Sequence, residues 1–216
     1  MMATKRILLV DDHPIVRAGY QMLIEQEPDL EVCGDADDLL TAMQQIRERK
    51  PHLIVLDISI KSGSGLELVK EIAAQKLDAQ VLVCSMHEES LYAERALRAG
   101  ARGYVNKEQV TDNIVQAIRT VLSGELYLSP QMTQRLLTRA AGGFDASADP
   151  VSTLSDRELE VFELIGRGHT TKAIAEKLEL SRKTIETHRE HIKSKLNAKT
   201  SAELNREAVK WVMETF

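Results

Sequence analysis

Five short apolar runs punctuate the first 125 residues, and four of them lead at once into residues that carry chemistry. The runs are RILLV (6–10), LEVCG (30–34), HLIVL (52–56), QVLVC (80–84) and ARGYV (101–105). Each is rich in Val, Ile and Leu and bounded by polar or turn residues, as strands buried on both faces are. Helical patterns separate them. Ile15, Ala18, Gly19, Met22 and Leu23 are expected to share the inward face of one helix, and Ile114, Ala117, Ile118, Val121 and Leu122 that of another. Ser64 with Glu67 forms a capping box that opens a third helix carrying Leu66, Val69 and Ile72. Five βα units of this kind predict an α/β domain with a doubly wound, five-stranded parallel sheet.

In a parallel sheet all C-terminal strand ends lie on one edge, where ligand sites form. Run one ends at Asp11-Asp12, run three at Asp57, run four at Ser85, and run five at Asn106-Lys107. Three carboxylates brought together raise one another's pKa. A hard divalent cation with oxygen ligands relieves this, and Mg²⁺ commonly combines carboxylates, waters and a phosphate. A carboxylate there can attack a phosphoryl group, with Ser85 donating to a phosphoryl oxygen and Lys107 ion-pairing with it. Taken one by one, these residues read as a helix cap, a turn serine and a surface lysine; the joint pattern is specific. A phosphatase of the haloacid dehalogenase type is disfavoured, because Asp57-Ile58-Ser59 lacks the second acid of Asp-x-Asp. No glycine-rich nucleotide motif is present.

The second part of the chain differs. SPQMTQRLLTRAA (129–141) predicts a short helix with Pro130 in first position, and GGFDASADPVS (142–152) reads as a flexible linker. Beyond it no strand pattern appears. The net charge of −5 hides a division: residues 1–151 carry 16 Lys and Arg against 22 Asp and Glu, whereas from Ser152 onward the balance is 12 against 11. Ser155 with Glu158 makes a capping box, with Leu154 placed to staple against Leu159; Gly166 and Gly168 end that helix. Thr170 or Thr171 caps a short second helix, Ser181 a third, and Thr200 with Glu203 a fourth. A short helix, a tight turn and a longer helix is helix-turn-helix spacing.

At 100° per residue, Ile185, Ile192 and Leu196 face inward on the third helix, with His188 at the edge. Lys183, Thr187, Glu190 and Ser194 point outward with Glu186 beside them, and Arg182, Arg189 and Lys193 flank them within reach of phosphates. Helix N-termini at Thr171-Lys172 and at Ser181 add backbone donors. The plain alternative is a solvated helix with internal pairs such as Arg182–Glu186. His188 and His191 have no further ligand nearby, so no metal is expected there.

These residues carry two resemblances. Residues 5–123 resemble the receiver domain of two-component response regulators, which implies the sheet order 2-1-3-4-5. It implies that Asp57 is the phosphoacceptor, with Asp11, Asp12, Asp57 and the backbone carbonyl of Ser59 around Mg²⁺. Ser85, Tyr104 and Lys107 would form the switch, although Tyr104 reads equally as a core aromatic. Receivers often have Met-Pro where this chain has Ile60-Lys61, which bears on the loop's rigidity and the lifetime of a phosphoryl group. Residues 153–205 resemble the LuxR-type helix-turn-helix of the NarL/FixJ family, through Leu154-Ser155-x-Arg157-Glu158, Lys172-x-Ile174-Ala175, Ser181-x-Lys183-Thr184-Ile185-Glu186-Thr187-His188 and Lys195-Leu196. Many relatives place Lys at the position of Glu186.

The resemblance implies a receiver at 1–125, a linker with a short helix at 126–152 and a DNA-binding domain at 153–216. The implied function is transcription control by a non-enzyme: a sensor histidine kinase phosphorylates Asp57, and a homodimer binds double-stranded DNA, with RNA polymerase as a further partner. DNA contacts are expected from Thr171, Lys172, Arg182, Lys183, Thr184, Glu186, Thr187, Arg189, Glu190 and Lys193. The alternative is a phosphorylation-independent regulator that uses its receiver as a protein-interaction module. Val209, Trp211 and Val212 of the last helix suit either a dimer surface or core packing. No apolar run approaches the roughly 20 residues of a membrane span, and the N-terminus lacks a signal peptide's pattern. A cytoplasmic location is therefore expected, with Cys33 and Cys84 as reduced core thiols.

Overall fold

The structure, a computed structural model, describes residues 4–60, 63–107, 110–141 and 150–215. Lys61 and residues 142–149 of the expected linker lie outside them. The chain divides into two compact units between Ala140 and Ala141.

In the first unit, β1 (Lys5–Val10), β2 (Leu30–Ala36), β3 (Leu53–Leu56), β6 (Gln80–Ser85) and β7 (Gly103–Asn106) form a five-stranded sheet in the order β2-β1-β3-β6-β7. All four pairings are parallel. This is the expected order 2-1-3-4-5, renumbered because β4 (Ser59–Ile60) and β5 (Gly63–Ser64) make a small antiparallel hairpin after β3. That hairpin lacks a sequence signal, since two-residue strands are too short to show a period. The fifth strand begins at Gly103 rather than Ala101, so Asn106 belongs to it.

Ile7, Leu9, Leu53, Val55, Leu82 and Cys84 point to one face of the sheet. There α5 (Val110–Leu122) packs with Ile114, Ala117, Ile118 and Val121, as expected. The expected face of α1 (Pro14–Glu25) is wrong. Tyr20 and Ile24 are buried, with Val16 and Leu23 packed beside them, whereas Ile15 is 88% and Met22 68% exposed. The helix carries two apolar stripes, and only the position of the sheet decides which is covered. On the other side lie α2 (Leu39–Arg49), α3 (Gly65–Ala74) and α4 (Glu89–Ala99), with α2 against β1 and β2 and α4 against β7. Ser64 caps α3 by accepting from Leu66 N.

After α5 the chain runs along the outer edge of the sheet. Tyr127 bridges to Gly103, and its carbonyl accepts from Tyr104 N at 2.9 Å. Helix α6 (Pro130–Ala140) follows, capped by Ser129 through Met132 N, and packs on α4.

The second unit is all-helical in its described residues: a 3₁₀ turn (Pro150–Thr153), then α7 (Asp156–Gly166), α8 (Thr171–Lys177), α9 (Arg182–Leu196) and α10 (Ser201–Thr215). The Ser155–Glu158 capping box forms. Thr170 caps α8 through Ala173 N and Ser181 caps α9 through Thr184 N. At α10 the Thr200 hydroxyl accepts from Glu203 N, while the Glu203 carboxylate reaches back to Lys199 N. α7 is central. Phe162 stacks at 5.5 Å on Trp211 of α10, and a Cβ on Gly166 would stand 2.4 Å from the Ala208 carbonyl, so only glycine allows that approach. Trp211 and Val212 thus lean on the core, while Val209 and Met213 are exposed.

Candidate metal centre and nucleic-acid interface

Because β1, β3 and β7 run parallel, their C-terminal ends bring Asp11, Asp57 and Lys107 together from positions far apart in sequence. Lys107 Nζ lies 2.6 Å from Asp11 Oδ2 and 2.6 Å from Asp57 Oδ2. Asp57 is only 4% exposed, and its other oxygen, Oδ1, is buried with no hydrogen-bond partner. Burial pushes the Asp57 carboxyl above its ordinary range, against the pull of Lys107. Lys107 is itself partly desolvated, yet the two carboxylates outweigh this and hold its ammonium charged above the usual range.

Asp11, Asp12, His13 and Asp57 each offer one ligand atom, all within 4.8 Å of one another. One lysine beside three carboxylates leaves two uncompensated negative charges, the amount a divalent cation cancels. An oxygen-rich set with an orphaned buried carboxylate oxygen fits Mg²⁺. His13 was not singled out in the sequence; its ring lies 2.6 Å from Asp12 Oδ1 and 3.3 Å from Asp11 Oδ1, where it tethers the acids.

The other expected residues meet through His87, which the sequence reading also missed. Ser85 is buried, and its Oγ accepts from His87 N at 3.3 Å. Tyr104 is buried too; its hydroxyl donates to the His87 carbonyl at 2.8 Å, and burial holds the phenol well above its ordinary pKa. The His87 ring lies 3.1 Å from Ser59 Oγ and stacks on Tyr92 at 4.4 Å. A lone histidine two residues after a strand carries no local signal for such a role. Ile60 is buried in β4 rather than free in a loop. Two residues beyond His87, at the start of α4, Glu89 Oε1 accepts from Ser129 N at 2.8 Å, and the Ser90 carbonyl accepts from Arg135 at 3.1 Å. The start of α4 is therefore bonded to the segment that leads out of the sheet.

In the helical unit, Ile185 and Ile192 are buried, and Lys183, Glu186, Thr187, Glu190 and Ser194 of α9 are exposed, as expected. Arg182 and Lys172 are also exposed, Thr171 and Thr184 half-buried. Three cations are already engaged. Lys172 pairs with Glu176 at 3.6 Å. Lys193 pairs with Glu190 at 2.8 Å, and Arg189 is half-buried, donating to Asn205 of α10 at 3.0 Å. Glu158 of α7 anchors α9 from behind: its carboxylate accepts from Lys195 Nζ at 2.6 Å and from Ser155 N at 2.7 Å. Burial against the core lowers the pKa of His188. No described helix is long and apolar enough to cross a membrane.

Two family models match, the response regulator receiver domain over residues 7–119 and the bacterial regulatory proteins of the luxR family over residues 152–208. The oxygen regulatory protein NreC of Staphylococcus carnosus is 38% identical over 210 residues, covering 95% of this chain and 97% of that protein. A LuxR-family two-component response regulator from Aurantimonas has a TM-score of 0.59 at 38% identity, over 64% of this chain and 99% of its own. RcsB of Salmonella enterica serovar Typhimurium, bound to the promoter rprA in the presence of phosphomimetic BeF3-, has a TM-score of 0.61 at 26% identity, over 94% of this chain and 97% of its own. With a receiver followed by a LuxR-type domain along nearly its whole length, the chain belongs to the two-component response regulators of the NarL/LuxR family.

Proposed function

We propose that this protein is a phosphorylation-controlled transcription regulator in which Asp57 accepts a phosphoryl group from a sensor histidine kinase. The observation that carries the reading is the buried Asp57 carboxylate, held on one oxygen by Lys107 and orphaned on the other, beside Asp11 and Asp12. Asp11, Asp12 and Asp57, with the Ser59 carbonyl, would hold Mg²⁺, which supplies charge neutralisation for the incoming phosphoryl group. The N–P bond to the kinase histidine breaks as an O–P bond to Asp57 forms. Lys107 then faces a phosphoryl oxygen instead of a bare carboxylate, and the Ser85 hydroxyl moves to donate to another.

Ser85, His87 and Tyr104 share hydrogen bonds, and α4 begins two residues beyond His87. A displacement of Ser85 is thus transmitted to Glu89 and Ser90, which hold Ser129 and Arg135 at α6. Phosphorylation shifts the receiver between two arrangements, one with α6 held and one with it released. The released state makes the helix-turn-helix competent to bind paired half-sites as a homodimer. RcsB dimers bound to DNA support that assembly.

The test is intact mass after treatment with acetyl phosphate and Mg²⁺. The wild type should gain one base-labile phosphoryl group and Asp57→Ala none. A wild type that gains nothing while still binding specific DNA would replace this reading with a phosphorylation-independent regulator.

A further inference from the structure

The outward face of α9 presents Lys183, Glu186, Thr187 and Glu190, yet these residues are not equally available. Glu190 is paired with Lys193, and the Thr187 hydroxyl donates back to the Lys183 carbonyl at 3.0 Å. The Glu186 side chain makes no hydrogen bond or ion pair among the described residues, not even with Arg182 one turn before it. It is the fifth residue of α9, within the N-terminal part of a helix-turn-helix recognition helix that meets base edges.

A free carboxylate in that place is costly on DNA. Every phosphate repels it, and so do the major-groove acceptors of guanine (O6, N7) and thymine (O4). Only an exocyclic amino group attracts it. Adenine offers N6 with the N7 acceptor directly beside it, which pushes a carboxylate away. Cytosine offers N4 with no acceptor of its own in the groove.

On the reading of this unit as a DNA-binding domain, we propose that Glu186 is a specificity-determining residue that accepts from N4 of a cytosine in each half-site and excludes other bases there by repulsion. Its selectivity arises as much from rejection as from attraction. Arg182, exposed on the first turn of α9 and beside the outward face, holds the helix to the phosphates without choosing a base.

The experiment is selection from a randomised duplex pool with the full-length protein in Mg²⁺ and beryllofluoride, for wild type, Glu186→Gln and Glu186→Lys. Glu186 is exposed, and unchanged circular dichroism confirms that each variant is folded. Wild-type sites should share a cytosine at one position per half-site, preferred roughly ten- to a hundredfold. Glu186→Gln should move that position toward adenine and Glu186→Lys toward guanine, with the other positions unchanged. The same base at every position in all three proteins would overturn the proposal and leave the DNA-binding reading standing. Failure of the wild type to enrich any sequence would overturn both.

Discussion

Lys107 Nζ stands 2.6 Å from Asp57 Oδ2, and in the same position it neutralises Asp11. Lys107→Met would leave three carboxylates facing one another in a buried site. With metal chelated, the receiver should lose about 3 kcal/mol, the usual cost of breaking a buried pair. Mg²⁺ should restore more stability to this variant than it adds to wild type, because the ion meets one more uncompensated charge. Urea unfolding with EDTA or Mg²⁺ measures both quantities. Asp12→Asn should remove most of the Mg²⁺-dependent gain in wild type. Equal curves with and without Mg²⁺ would rule out a cation site at these acids.

Gly65 opens α3, and a Cβ there would lie 2.0 Å from the Asp57 backbone carbonyl. Gly65→Ala should therefore displace the backbone that carries the candidate phosphoacceptor. A cost of about 1–3 kcal/mol is expected, with a fall in the fraction phosphorylated by acetyl phosphate. Wild-type stability and labelling together would show that the loop after β3 yields freely.

Glu89 ties α4 to the residue that caps α6, at 2.8 Å from Ser129 N. Glu89→Ala removes a charge-assisted hydrogen bond, so amide exchange within α6 should speed up roughly tenfold without phosphorylation. The β1 and β3 amides should not change. Hydrogen exchange read by mass spectrometry separates the two regions, and uniform acceleration would point to general destabilisation.

Glu158 gives the helical unit a pH dependence of known sign. Burial alone would raise its carboxyl, but Lys195 and Ser155 outweigh that and lower it below the ordinary 4.5. A carboxyl lowered in the folded state contributes stability that is fully present above the unfolded value and lost as pH falls through the folded one. Glu158→Gln should cost about 1–2 kcal/mol at neutral pH. The gap between wild type and variant should then close as the pH is taken below 4.5. A gap that stays constant down to pH 3 would remove the carboxylate's charge from the explanation.

The sheet was readable because β3 is buried along its whole length and must be apolar at every position, whereas a polar residue marks each strand's exit. The helix caps were readable because Ser155, Thr170 and Ser181 satisfy backbone donors only three residues away. The inward face of α1 was not, since Ile15 and Met22 are as apolar as Val16 and Ile24. His87, Glu89 and Asn205 were missed for one reason: their partners lie on other elements.

By itself, the sequence determined the five strands of the sheet, the helices of both units and their order, though not the β4–β5 hairpin, and it showed which strand ends bear Asp11, Asp12, Asp57, Ser85 and Lys107. Spacing and local hydrogen bonding carry that information within a few residues. Only the tertiary structure decided that Lys107 spans two acids, that His87 joins Ser59, Ser85 and Tyr104, and that Glu190 and Arg189 are engaged while Glu186 is free. Those relations depend on side chains meeting across packed elements, at distances set by the whole fold and by no single segment of it.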